Sequence, residues 1–98
     1  TDTAISMSSI VSASRQQVSS ELAGEVVILN LNAGIYHGLD ATGTRIWQLI
    51  QSPMKVSDVR DAILGEYDVE ADRCGRDLLE LLEKLAHSGL LEIHPQPA

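Results

Sequence analysis

The spacing of apolar positions changes period along the chain. Val26 to Leu31 is a β-branched apolar run and reads as a strand. Asn32-Ala33-Gly34 is turn chemistry, with Gly34 free to take a positive φ. Ile35-Tyr36-His37-Gly38-Leu39 follows as a second, shorter strand. One further strand is expected within 10–23, before a turn at Gly24, which makes a three-stranded antiparallel sheet. The period then becomes helical. Asp40 is placed to cap a helix over about 41–51, with Ile46, Trp47, Leu49 and Ile50 on one stripe. Gly43 in its first turn costs about 1 kcal/mol against Ala, which implies a close approach by another backbone. Ser52-Pro53 ends this helix.

A second helix is predicted over about 56–66 from Val59, Ile63 and Leu64, with Gly65 marking its stop. Tyr67-Asp68-Val69 reads as a short link with Val69 pointing inward. The third helix, about 70–88, carries Ala71, Cys74, Leu78, Leu81, Leu82 and Leu85 on one stripe. Glu80 and Lys84 have the favourable i,i+4 order for an ion pair, and Gly89 suits the C′ position. Leu90 to Ile93 reads as an extended segment packing back on the core. The predicted fold is α+β: a three-stranded antiparallel sheet followed by a three-helix bundle like a winged helix-turn-helix. It occupies 10–93, between a disordered tail at 1–9 and a frayed end at 94–98. That outline decides nothing about function. One consequence does bear on it. The short strand with Gly38 lies at the side of the sheet, and an edge strand can accept a guest strand.

Composition narrows the partners. The 98 residues carry a formal net charge of −7, with one Trp, two Tyr and no Phe. The core is therefore aliphatic, and binding to nucleic acid phosphates is disfavoured. A single cysteine excludes an internal disulfide and fits a cytoplasmic setting. No apolar run approaches the ~20 residues of a membrane span, and no signal peptide is evident. Between Glu66 and Glu92, eight acids stand against three bases. That surface is either a solvated face or one that steers a partner carrying Lys or Arg.

Catalytic chemistry finds little to work with. His37, His87 and His94 show no metal-ligand spacing. Cys74 sits on an apolar stripe and reads as a small buried hydrophobe; a reactive thiol would need a cation such as Arg73 or Arg76 nearby. There is no Gly-rich phosphate loop and no G-x-S-x-G. No enzyme activity and no cofactor are expected.

The run Asn32-Ala33-Gly34-Ile35-Tyr36-His37-Gly38-Leu39-Asp40-Ala41-Thr42-Gly43, followed by Ile46-Trp47, resembles the PqqD-like pattern. Tyr67-Asp68-Val69 and the close Leu82-x-x-Leu85-x-x-x-Gly89-Leu90-Leu91 fit it too. The resemblance covers roughly 10–93. It departs at Glu70, where a good helix cap is usual, and at Gly38, where bulkier residues are usual. Members of this family are RiPP recognition elements. The resemblance implies binding of the leader of a ribosomally made precursor peptide, as a strand added beside Ile35, Tyr36, His37, Gly38 and Leu39. The groove side of the third helix should then include Cys74, Asp77, Leu78 and Leu81. It also implies a maturation enzyme as partner: a leader peptidase of a lasso-peptide pathway, which we favour, or a radical SAM protein. The alternatives from other classes are a winged-helix DNA regulator, which the charge disfavours, and a scaffold without peptide affinity. Free sheet edges also allow a homodimer.

Overall fold

A computed structural model of the chain describes residues 5–15, 17–31 and 33–95. In chain order the elements are β1 (Ile10–Ala13), β2 (Gln17–Leu22), β3 (Glu25–Asn30), β4 (Ile35–Gly38), α1 (Ala41–Leu49), β5 (Met54–Lys55), α2 (Val56–Glu66), α3 (Ala71–His87) and β6 (Leu91–His94). The expected antiparallel sheet is there, in the order β2-β3-β4, ahead of three helices. Asn32, part of the expected turn, lies outside the described residues; Gly34 takes φ 68° as that turn requires.

A second antiparallel sheet, β5-β1-β6, was not foreseen. The single strand expected within 10–23 is in fact two, one in each sheet. β1 pairs with the C-terminal β6 from Ile10↔His94 to Ala13↔Leu91. His94 therefore belongs to a strand rather than to a frayed end, and its Nε2 lies 2.6 Å from the buried Ser12 hydroxyl. The other end behaves likewise. Ile5 is buried, Met7 packs on the core, and the Met7 and Ser9 carbonyls accept from Ser57 and Val56 N–H. The ordered fold thus begins by residue 5, not at 10. Gly75, in the second turn of α3, leaves the space that Met7 fills: a Cβ there would sit 3.0 Å from Met7 Cε.

The core is aliphatic around one indole. Val11, Ile28, Ile50, Val56, Val59, Leu82 and Leu90 are fully buried, and Trp47 nearly so. Helix bounds fall within two residues of expectation. Gly65 lies inside α2, which stops at Tyr67. Gly89, at φ 73°, closes α3, and Leu90 N–H reaches back to the Leu85 carbonyl. The Glu80–Lys84 pair is not formed. The ion pairs among the described residues are Arg45–Glu66, Arg60–Asp61 and Arg73–Asp77. An exposed pair gains too little in water to fix two long side chains. Glu66 receives three hydrogen bonds from Arg45, which lower its carboxyl below the usual range.

Candidate peptide-binding site

The site begins with the phase of the β3–β4 ladder. Leu39 N–H donates to the Val26 carbonyl at 2.8 Å, and Val27↔Gly38, Ile28↔His37, Leu29↔Tyr36 and Asn30↔Ile35 face each other. Hydrogen-bonded and non-bonded pairs alternate in an antiparallel ladder. Ile35 and His37 therefore turn their N–H and C=O groups toward β3. Tyr36 and Gly38 turn theirs outward, where no strand among the described residues pairs with β4. The side chains alternate as well. His37 lies across from buried Ile28 and is half-buried, whereas Tyr36 shares the outer face with Leu29 and is 69% exposed. Of the two, it is thus His37 and not Tyr36 that turns toward the core.

The end of β4 is fixed to α1 by one hydroxyl. By the ladder rule Val26 N–H should bond the Leu39 carbonyl. Instead it donates to Thr44 Oγ1 at 2.9 Å, and that hydroxyl donates to Leu39 O at 3.4 Å. Thr44 is buried. One turn earlier Asp40 caps α1, its Oδ1 accepting from Gly43 N–H at 2.8 Å. A Cβ at Gly43 would meet this Oδ1 at 3.2 Å and Leu39 Cβ at 3.3 Å. The crowding that selects glycine comes from side chains of the cap itself, not from another backbone.

Beside this strand end runs a groove of about 670 Å³, bounded by the β4–α1 junction on one side and α3 on the other. Among the residues singled out in the sequence, Gly38, Leu39, Cys74, Asp77, Leu78 and Leu81 line it; Ile35, Tyr36 and His37 do not. The floor is apolar, with Leu39, Ile46, Ile63, Cys74 and Leu78 each nearly covered by the fold. Burial, then the Asp77 carboxylate, push the Cys74 thiol above its usual range. The cation acting against them is Arg60 rather than Arg73 or Arg76. The structure adds Val69, which sequence reasoning placed inward. It is 46% exposed and lines the groove. A Cβ at Gly38 would meet nothing within 4 Å, so the space over the strand end is open. Glu70 precedes α3 without a side-chain cap bond and also lines the groove. Among the described residues no cluster of His, Cys, Asp and Glu is arranged to hold a metal ion, and no helix is long and apolar enough to cross a membrane.

This geometry has counterparts. The family model of Coenzyme PQQ synthesis protein D (PqqD) matches residues 25–91. No curated protein sequence matches significantly. The solved structure of TbiB1 in complex with the TbiA(beta) leader peptide is 40% identical, with a TM-score of 0.78 over 87% of this chain and 99% of that one. A lasso peptide synthetase B1 complexed with the leader peptide shares the fold at 23% identity, with a TM-score of 0.74 over 84% of this chain and 96% of that one. The matched run takes in β3, β4, all three helices and the whole groove, so the chain belongs to the PqqD family.

Proposed function

We propose that the protein is a non-catalytic RiPP recognition element, which binds the leader of a ribosomally made precursor peptide and presents it to a maturation enzyme. The observation that carries this is the juxtaposition at β4: outward-facing Tyr36 and Gly38 backbone groups beside an apolar-floored groove along α3. A peptide strand added there would bond the two residues through its backbone. Every second side chain would enter the groove over Val69, Leu78 and Leu81, giving register and specificity. TbiB1, solved with a leader peptide, supports the same role here. The peptide-contacting residues are then Ile35 to Leu39 through the strand, and Cys74, Asp77, Leu78 and Leu81 through the groove.

The partner enzyme we favour is the leader peptidase of a lasso-peptide pathway, acting in the cytoplasm; delivery to a radical SAM enzyme is the related alternative. A net charge of −7 argues against a DNA regulator. The edges of β2 and β4, unpaired among the described residues, leave room for a homodimer, which added peptide would compete with at β4. The test is a titration followed by backbone amide NMR, with the TbiA(beta) leader and with the leader of the precursor encoded beside this chain. Saturable shifts at Tyr36 to Leu39 and from Cys74 to Leu81 are expected. Shifts confined to α1 and α2 would move the site. No peptide binding, with the neighbouring enzyme still captured, would favour the scaffold reading.

A further inference from the structure

The walls of the groove are charged in one sense. Five carboxylates line it: Asp40 from the β4–α1 junction, Asp68 and Glu70 from the α2–α3 connection, and Asp77 and Glu80 from α3. Among the described residues Arg73 and Lys84 oppose them, leaving a formal excess of three negative charges. Asp40 is occupied as the α1 cap. Asp77 meets Arg73 at 3.8 Å, but both side chains are more than two-thirds exposed, a pairing that water largely screens. Asp68, Glu70 and Glu80 enter no ion pair among the described residues. Asp77 and Glu80 are three residues apart on one helix and so stand side by side. The apolar Cys74, Leu78 and Leu81 line the groove from the same helix.

We infer that the groove selects a leader carrying a Lys or Arg next to its apolar anchor, with the basic group held over Asp77 and Glu80. This rests on the leader-binding reading and adds a charge requirement to it. The apolar anchor covers the floor. Beside it, a long basic side chain can lie along Leu81 with its stem and keep its charged head in water at the rim. An acidic residue at that place would meet like charge, which interfaces use to reject wrong partners. Because the rim is exposed, the effect falls mainly on association rate and weakens with salt.

The test uses the full chain and the TbiA(beta) leader peptide. Two positional scans place a single Lys, or a single Glu, at each leader position in turn, and binding is read by fluorescence anisotropy at low and high salt. At one position, or two positions two residues apart, Lys should bind about ten-fold tighter than Glu at low salt, and the gap should shrink at high salt. The double variant Asp77→Lys, Glu80→Lys should reverse the preference at that position and at no other. Both sites are on the rim, but the new lysines stand i,i+4 from Arg73 and Lys84, so its thermal unfolding midpoint should fall slightly, and binding is read well below it. Leader binding with Lys and Glu equal at every position would overturn the charge requirement and leave leader binding standing. A preference that persists unchanged in the double variant would also overturn it, since the acids would lie elsewhere. No binding by any peptide in either scan, nor by the leader of the precursor encoded beside this chain, would overturn leader recognition itself.

Discussion

Replacing Gly38 by Pro separates strand addition from every other way of using the groove. Gly38 faces Val27 at a non-bonded ladder position, so its N–H makes no bond to β3. Its φ is not in the positive region, and a Cβ there meets nothing within 4 Å. His37 before it is already extended, as a residue preceding Pro must be. The fold therefore tolerates the ring, and the stiffer unfolded chain offsets part of any residual strain. A guest strand loses one donor. A net backbone hydrogen bond is worth about 0.5–1.5 kcal/mol, and leaving the guest carbonyl buried and unpaired costs about 1–3 kcal/mol. Leader affinity should therefore fall by about 5- to 150-fold. Isothermal titration with the TbiA(beta) leader reads the affinity, and urea unfolding reads the stability. Gly38→Ala is the control for bulk, since it keeps the N–H; its affinity should stay within about three-fold of the parent. His37→Pro is the mirror image. It removes a donor that faces β3 and should destabilise the fold by more than about 1 kcal/mol. Parental affinity in Gly38→Pro would show that the peptide does not pair with β4, and the site would have to be rebuilt on the groove alone.

Four further outcomes follow from the geometry. Thr44→Val leaves Val26 N–H and Leu39 C=O without their bridge and should lower stability by about 1–3 kcal/mol, a Tm drop of at least about 4 °C by calorimetry; Thr44→Ser should restore most of it. Ala23 holds φ 53° in a two-residue turn with Gly24 at 83°, so Ala23→Asn or Ala23→Gly should stabilise the hairpin by about 0.5–1 kcal/mol in urea titrations. The raised Cys74 thiol keeps its proton longer folded than unfolded, so its contribution is whole below the unfolded pKa of about 8.5 and is lost as pH rises beyond it; Cys74→Ala should show a flatter loss of stability between about pH 8 and 10. The lowered Glu66 carboxyl works in the other direction: its contribution is present above about pH 4.3 and is lost as pH falls through the folded value, so Glu66→Gln and the parent should converge in stability in strong acid.

How much of this was legible in the residues depends on how far apart the cooperating groups lie. The β3–β4 hairpin, the Asp40 cap, Gly34 and Gly89 are local, and each is written within a few residues. The β5-β1-β6 sheet joins strands more than 80 residues apart at Ile10↔His94, and a four-residue strand without alternation gives no hint of such a partner. The packing of Met7 depends on the missing side chain at Gly75, which looks like a weak point of α3 until the N-terminal segment is laid across it. Tyr36 and His37 show a third kind of limit. Both can roof a core or face water, and a one-residue change of register exchanges their roles; only the pairing of Ile28 with His37 decides. Val69 follows the same logic, since an isolated apolar residue in a connection says nothing of which way it turns.

Two of these features, the phase of β4 and the position of Val69, bear on the proposed binding edge. β4 has only four residues, and a short edge strand frays unless something holds its ends. The Gly34 turn holds one end, and the Thr44 hydroxyl holds the other by linking β3, Leu39 and α1. Since α1 packs through Ile46 and Trp47 into the core that also buries Leu78 and Leu82 of α3, the two walls of the groove are set by one body of packing. A guest strand added at the proposed site would find donors and pockets already in place, and little of its binding energy would go into ordering the protein. This gives Thr44→Val a second readout. If Thr44 positions the edge, the variant should bind leader more weakly even at temperatures where it remains fully folded, with the loss reversed by Thr44→Ser. If affinity per folded molecule is unchanged, the hydroxyl serves stability alone, and the edge is held in place by the hairpin without it.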